Sequence, residues 1–250
     1  MIQPVLARFG AVLRDGVRIW WLAPLVPLLV VVPEGAQHVA EIRLGFFESR
    51  AAAAALADDP RRMVWGYLKI AGLLMAIFAA IRFWATRGSG QAWWNPRGVA
   101  WRNLLLAIVL MGLTSVPGLV LQSSIGSEFS GWIDIALFVA TLPLLALLIA
   151  GLAGDCDIGL KAVFRSGWLT ALRVLVYGAA VWAPLAWLHT QNHQWAMGAS
   201  EWAVWLLMAF DTLVVGLLAT MAGTALHHGY STPPNARSSE VEPAPAMASA

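Results

Sequence analysis

Two histidines four residues apart, His189 and His193, are the first pair of side chains in this sequence that could do chemistry. On a helix this spacing puts both imidazoles on one face, where a metal ion could bridge them. Glu201 or His38 could supply a further ligand from the same side. The pair follows the predicted end of a membrane helix, however, and the spacing specifies no third ligand. We therefore favour a solvated polar loop and predict no metal ligand and no cofactor.

Other polar motifs fit turns and helix ends better than a catalytic site. The segment from Gly154 to Gly159 holds two aspartates beside Cys156, the single cysteine, and carboxylates in such positions are common in caps and turns. His227 and His228 would diverge by about 100° on a helix, and cationic groups suit a helix C-terminus. The sequence contains no nucleophile elbow, zincin motif or dinucleotide-binding fingerprint. We predict no catalytic residue and favour a protein that is not an enzyme.

Ionisable side chains within long apolar segments are the better candidates for function. Asp211 follows Trp202 by nine residues, which places it roughly 13 Å deep in a hydrocarbon core of about 30 Å. An aspartate there costs about 2.5–3.5 kcal/mol on insertion scales, so it should face the bundle interior, either protonated or paired. Lys69 is the first-choice partner, although a depth difference of roughly 7 Å leaves a bridging water or a neutral Asp211 as alternatives. Asp211 and Lys69 are thus the candidate binding residues, and a packing role for Asp211 is equally open.

The elements that must position these residues are apolar helices. Of the 250 residues, 59% are hydrophobic and 12% are charged, whereas about a quarter of the residues in a soluble domain are charged. We predict an all-α membrane protein, with residues 1–230 forming a bundle of about six transmembrane helices arranged as three hairpins. The predicted spans lie near 17–32, 64–84, 103–121, 132–152, 169–188 and 203–226.

Lysine and arginine alternate between the two ends of the predicted helices, which sets their orientation. The N-terminal segment and the second and fourth connections are basic, whereas the third and fifth connections contain neither residue. The first connection, 34–62, mixes both charges and is predicted as an outer-side helical segment. We predict cytoplasmic termini and a multi-pass protein of the inner membrane. The tail, 231–250, is rich in Pro, Ser and Ala and is predicted to be disordered.

The predicted hairpins resemble one another. Gly66-Tyr-Leu-Lys-Ile begins the second helix as Gly131-Trp-Ile-Asp-Ile begins the fourth, and the basic segments 95–102 and 161–173 lead into the next helices. Any helix entering a membrane through an aromatic belt could produce the same likeness. The organisation resembles poorly characterised bacterial six-helix inner-membrane families, such as the membrane domain fused to some glycerophosphodiester phosphodiesterases. The resemblance implies a bacterial inner-membrane protein, but no signature motif carries site residues over.

Charge excludes one class of partner. The formal net charge is +2, and no dense run of Lys or Arg could follow a phosphate backbone, so we predict no nucleic-acid binding. Membrane lipids are the predicted partners, and a homo-oligomer is possible. We favour a non-enzymatic accessory or structural envelope protein. The alternative is a small transporter or lipid-handling protein that uses Asp211 and Lys69. A polar cavity between helices around Asp211 would favour this alternative, and a tightly packed apolar bundle would favour the first.

Overall fold

A computed structural model of the chain describes residues 2–125 and 127–231, and every regular element in these ranges is helical, as predicted. A short 3₁₀ turn, Pro96–Gly98, precedes the fifth α-helix. The α-helices are α1 (Ile2–Leu22), α2 (Leu25–Leu44), α3 (Arg50–Ala55), α4 (Pro60–Thr86), α5 (Trp101–Ile125), α6 (Ser127–Thr141), α7 (Pro143–Ala153), α8 (Leu160–Ser166), α9 (Trp168–Ala196) and α10 (Glu201–Tyr230). Apart from Ser231, the tail predicted to be disordered lies outside the described residues.

Four of the helices, α2, α4, α9 and α10, are long and apolar enough to cross a membrane. The segments Gly131–Thr141 and Pro143–Ala153 meet at an angle of 51°, and together they form a fifth span if the bent pair counts as one. The apolar part of α5, Trp101–Thr114, is shorter. The chain is therefore a membrane protein with four or five spans among its described residues, which is compatible with the predicted bundle of about six.

The N-terminal region differs from the prediction. The predicted span at 17–32 is divided at Ala23-Pro24, where α1 ends and α2 begins. α2 then continues through Pro33 to Leu44, so that residues 34–44 belong to a helix that is long and apolar enough to cross a membrane and not to a separate helical connection. Proline inside a membrane helix is tolerated when neighbouring helices pack against the freed backbone groups. At this level α4 packs against α2, where Gly72 lies against the carbonyl of Leu29 and the ring of Pro33.

The first helix lies along the C-terminal half of α10. Arg8 donates a hydrogen bond to the carbonyl of Ser231, and Trp20 Nε1 donates to Thr220 Oγ1 at 3.3 Å. α1 therefore runs antiparallel to α10 over this half. With four charged residues, α1 does not qualify as a membrane span, and its charges pair at this end of the bundle. Asp15, for example, lies 3.2 Å from the His228 ring.

The longest helix, α10, packs at the centre of the bundle against α1, α2, α4 and α9. Val215, Ala219 and Ala222 of α10 form one apolar core with residues of α2, α4, α5, α7 and α9. Small residues allow the backbones to approach closely, which drives helix association where burial of apolar surface gives little gain. A Cβ atom on Gly223, for instance, would collide with the Ile77 carbonyl of α4.

Two local contacts hold the ends of α4. At its start, Asp59 caps the helix by accepting a hydrogen bond from the Arg61 backbone nitrogen at 2.8 Å. The Arg61 guanidinium also hydrogen-bonds the Asp59 carboxylate and lowers the pKa of Asp59 to about 2. Near the other end, buried Arg82 donates to the carbonyls of Gly98, at 2.6 Å, and Leu152, at 2.9 Å. Arg82 thus ties the segment before α5 to the end of α7.

Candidate metal centre

One face of α2 carries a row of buried polar side chains. Gln37 and His38 follow Glu34 by three and four residues and precede Glu41 by four and three, a spacing that aligns the four along one side of a helix. None of the four is more than 3% exposed. Charged groups in a membrane helix must find partners within the protein, because hydrocarbon offers none. The face therefore identifies the place where α2 meets polar groups of other helices.

Helix α9 supplies a second group of polar side chains to this cluster. The predicted solvated loop around His189 and His193 is wrong, because α9 continues unbroken to Ala196. His189, Asn192 and His193 therefore lie on one face of this helix, and all three side chains are directed at the same aspartate of α10. The loop was predicted because the apolar residues of α9 end near Leu188, although the helix itself extends two turns further.

That aspartate is Asp211, which is fully buried and faces the bundle interior, in agreement with the prediction. Its Oδ2 atom lies 2.7 Å from His189 Nδ1 and 3.1 Å from His38 Nε2. Its Oδ1 atom accepts a hydrogen bond from Asn192 Nδ2 at 2.9 Å. His193 Nε2 comes within 3.5 Å of Oδ2 but makes no hydrogen bond to it. Asp211 is thus the point at which side chains of α2 and α9 converge.

Lys69 has a different partner from the one predicted. Its Nζ atom donates to Glu34 Oε1 at 3.3 Å, and the Asp211 carboxylate is contacted by His38 and not by Lys69. Lys69 and Asp211 therefore have different direct partners, because α2 supplies Glu34 to the lysine and His38 to the aspartate. The two candidate residues still belong to one cluster, since His38 Nε2 lies 3.1 Å from Glu34 Oε1 as well as from Asp211.

The surroundings of His38 require an additional proton in the cluster. Its Nδ1 atom faces Glu41 Oε2 at 3.2 Å, while its Nε2 atom faces Glu34 and Asp211. A neutral imidazole has one N–H and a carboxylate has none, so both ring nitrogens can be satisfied only if the ring or a carboxyl group carries one more proton. Glu41 is held in place by Arg62 Nε, at 2.7 Å, in addition to the imidazole. His38 thereby links all three carboxylates of the cluster.

Four side chains of this cluster form a set that could hold a metal ion: Glu34, His189, His193 and Asp211. Each offers one ligand atom, and the four atoms lie within 4.8 Å of one another. Ligands in a tetrahedral zinc site are about 3.4 Å apart, given bonds of about 2.0–2.1 Å. Small side-chain rotations would therefore close the set around an ion. Two imidazoles and two carboxylates are donors that suit Zn²⁺ and its neighbours in the first transition series.

Two buried atoms of these four side chains lack hydrogen-bond partners among the described residues. Glu34 Oε2 belongs to a fully buried carboxylate whose other oxygen is engaged by Lys69, and His193 Nε2 is likewise buried. A buried polar atom without a partner costs free energy, about 1–3 kcal/mol, and a functional ligand is one of the usual reasons for its presence. Both atoms could donate a lone pair to a metal ion, so the residues present fit such an ion.

A surface cavity of about 500 Å³ adjoins the cluster, and both histidines of the ligand set line it. The wall is completed by cationic and uncharged side chains: Arg50, Arg62, Lys69, Thr190, Gln194 and Met197. An ion or small molecule could therefore reach the cluster from the protein surface. The fully buried carboxylates lie behind this wall.

Comparisons with known proteins add no further information. No family model, no curated protein and no solved structure matches this chain. The resemblance to six-helix inner-membrane families therefore stays a prediction, and the candidate site depends on its own geometry.

Sequence reasoning missed the contribution of α2. Glu34 and Glu41 were assigned to an outer connection, and His38 was considered only as an occasional further ligand. Their spacing of four and three residues was the available signal, because it aligns three titratable groups on one helical face. The prediction of no metal ligand followed from the lack of a third ligand beside the two histidines of α9. In the structure, Glu34 and Asp211 are the third and fourth candidate ligands.

Proposed function

We propose that this integral membrane protein binds a divalent transition-metal ion, with Zn²⁺ as the best-fitting candidate, between α2, α9 and α10. The observation that carries the proposal is the convergence of Glu34, His189, His193 and Asp211. Two buried atoms of these side chains, one of Glu34 and one of His193, also lack a hydrogen-bond partner among the described residues. Burial of the carboxylates favours binding, because the electrostatic attraction between a dication and a carboxylate is stronger in a low-dielectric site than in water. His38 and Lys69 would hold Asp211 and Glu34 in position.

The position of the site supports a role on the outer side of the membrane. In the orientation that we propose, with six spans and both termini in the cytoplasm, α4 and α10 start on the outer side. Lys69 and Asp211 then lie in the outer half of the membrane, and the adjoining cavity opens toward the outer surface. We propose the inner membrane of a bacterium as the location, with lipids as partners and a homo-oligomer as a possible assembly.

The polar cavity favours the second of the two functions considered from the sequence. A structural envelope protein would need no cluster of three buried carboxylates, because each buried charge is costly and replacement by apolar residues is often neutral or stabilising. A protein that handles a ligand needs such groups. We therefore propose that the protein captures a metal ion from the outer side, as a small transporter or a lipid-handling protein would, through the site that contains Asp211 and Lys69.

Zinc binding by the purified protein tests this proposal. The chain is purified in uncharged detergent, stripped with a chelator and titrated with Zn²⁺ against a chromophoric competitor, and the bound metal is counted by mass spectrometry. We expect one zinc ion per chain. The double variant His189→Ala/His193→Ala should weaken binding by more than about 100-fold, because two of four ligands are removed.

A matched control is available at the other end of α10. The double variant His227→Ala/His228→Ala removes the same number of imidazoles far from the cluster and should bind zinc as the unaltered chain does. Gel filtration and circular dichroism establish that each variant is folded. A folded protein that binds no zinc more tightly than about 10 μM would refute the proposal. So would equal losses of affinity in the two double variants.

A further inference from the structure

The cavity beside the proposed metal centre is strongly cationic on its surface. Arg50, Arg62 and Lys69 line it, together with the two histidines, and no acidic side chain of the described residues does. Arg50 is exposed on α3, and the other two cations are about one-fifth exposed. A concave surface with several arginine and lysine side chains attracts anions and concentrates them at its floor.

A metal ion would leave this region with unbalanced positive charge. The three cations are matched by three carboxylates, those of Glu34, Glu41 and Asp211, so the six groups together are neutral. A divalent ion raises the sum to +2. Excess charge in a partly buried site is unfavourable unless a counter-charge accompanies it. The metal-loaded site should therefore recruit an anion.

We infer that the cavity binds a phosphate group, as free phosphate or as the headgroup of a phosphomonoester lipid, when a metal ion occupies the centre. The inference rests on the proposed metal-binding function. A phosphomonoester carries a charge near −2 at neutral pH, and its several acceptor oxygens match the forked donors of arginine. The volume of about 500 Å³ lies in the range of small-molecule sites.

The shared lining residues connect the two sites. His189 and His193 belong both to the cavity wall and to the metal-ligand set, so a phosphate in the cavity would lie next to the ion. Arg62 lines the cavity and is held in place by two contacts, with Glu41 Oε1 at 2.7 Å and the Ala57 carbonyl at 2.8 Å. Arg50 forms no ion pair with any other described residue and is the cation most available to an incoming anion.

Phosphate binding is measured with two forms of the purified chain, one metal-free and one loaded with a single equivalent of Zn²⁺ and freed of excess metal. Equilibrium dialysis with labelled orthophosphate is the first arm. The second uses nanodiscs of phosphatidylcholine containing phosphatidic acid at one lipid in twenty, and measures enrichment of phosphatidic acid around the protein. We expect the zinc form to bind phosphate in at least one arm about tenfold more tightly than the metal-free form.

A pair of arginine variants tests the location. Arg50→Ala should weaken phosphate binding about tenfold without changing zinc affinity, since Arg50 is not a metal ligand. Arg43→Ala removes an equal charge from an exposed position outside the cavity and should change neither. Binding in the orthophosphate arm identifies free phosphate as the ligand. Binding in the nanodisc arm alone identifies the lipid headgroup, and both results support the inference.

Failure of the inference can be distinguished from failure of the metal-binding proposal. If zinc binds but phosphate binding is the same in both forms, or if Arg43→Ala and Arg50→Ala weaken it equally, the phosphate site is refuted and the metal site stands. If zinc does not bind, the proposed function is refuted and the phosphate inference falls with it.

Discussion

Replacement of Asp211 by asparagine is the sharpest test of the cluster. The variant keeps the size of the side chain and the Oδ1 acceptor that receives the Asn192 hydrogen bond. It replaces Oδ2 with an amide nitrogen, at the atom that lies 2.7 Å from His189 Nδ1 and 3.1 Å from His38 Nε2. The substitution therefore removes the charge and a metal-ligand oxygen while changing the volume very little.

The expected magnitude follows from the loss of one ligand and one buried charge. Changes to groups that merely orient metal ligands cost about 10–100-fold in affinity, so loss of a direct ligand should cost at least about 100-fold, or about 2.7 kcal/mol. Removing one partner of a buried ion pair destabilises a protein by about 3–5 kcal/mol. The retained Asn192 contact places the expected loss of unfolding free energy at the lower end of that range.

Zinc titration and thermal unfolding of the same samples provide the assay. Asp211→Asn should bind zinc at least about 100-fold more weakly, and zinc should no longer raise its unfolding temperature. The control is Asp15→Asn, which alters another buried aspartate that faces a histidine, His228, at the opposite end of α10. That variant should keep full zinc affinity. Zinc binding by Asp211→Asn that equals the unaltered chain would refute the assignment of Asp211 as a ligand.

Three further predictions concern the support of the centre. Lys69→Met should weaken zinc binding by about 10–100-fold, because Glu34 loses the donor that orients it, while Lys69→Arg should restore part of the affinity; equal affinity in all three proteins would contradict this. Zinc affinity should fall by at least about tenfold between pH 7.5 and 5.5, because ligand nitrogens must be unprotonated, and calorimetry in two buffers should detect the released protons; pH-independent binding would be inconsistent with histidine ligands. Gly72→Ala should lower the free energy of unfolding by about 1–3 kcal/mol, because its methyl group would collide with the Leu29 carbonyl, whereas Gly10→Ala, which has open space around it, should not.

The sequence predicts the apolar part of each membrane helix but not its full length. The predicted spans 64–84, 169–188 and 203–226 all lie within α4, α9 and α10, but each helix continues past the apolar segment. Hydropathy marks the part that crosses hydrocarbon and not the turns that continue beyond it. A prediction from composition therefore assigns the polar residues beyond the apolar segment, such as those on the last two turns of α9, to a loop.

The N-terminal spans show where hydropathy is insufficient. The predicted span 17–32 covers Pro24 and stops just before Pro33, and the sequence does not indicate which proline ends a helix. In the structure Pro24 separates α1 from α2, whereas Pro33 lies inside α2 and packs near Gly72. A membrane helix tolerates proline when neighbouring helices satisfy the backbone groups that the proline leaves unpaired. Their arrangement is a property of the tertiary structure. The same limit applies to Lys69, whose partner Glu34 could be identified only after α2 was placed.

The helix that begins after the break at Pro24 carries one side of the site. Because α2 begins there, its first half is apolar and packs against α4, and its second half brings Glu34, His38 and Glu41 to the level of Asp211. Their burial is tolerated because each one is paired, and the pairing leaves Glu34 Oε2 without a hydrogen-bond partner among the described residues. An arrangement made only for stability would satisfy that oxygen or dispense with the carboxylate, so its position beside two imidazoles supports a ligand at this point.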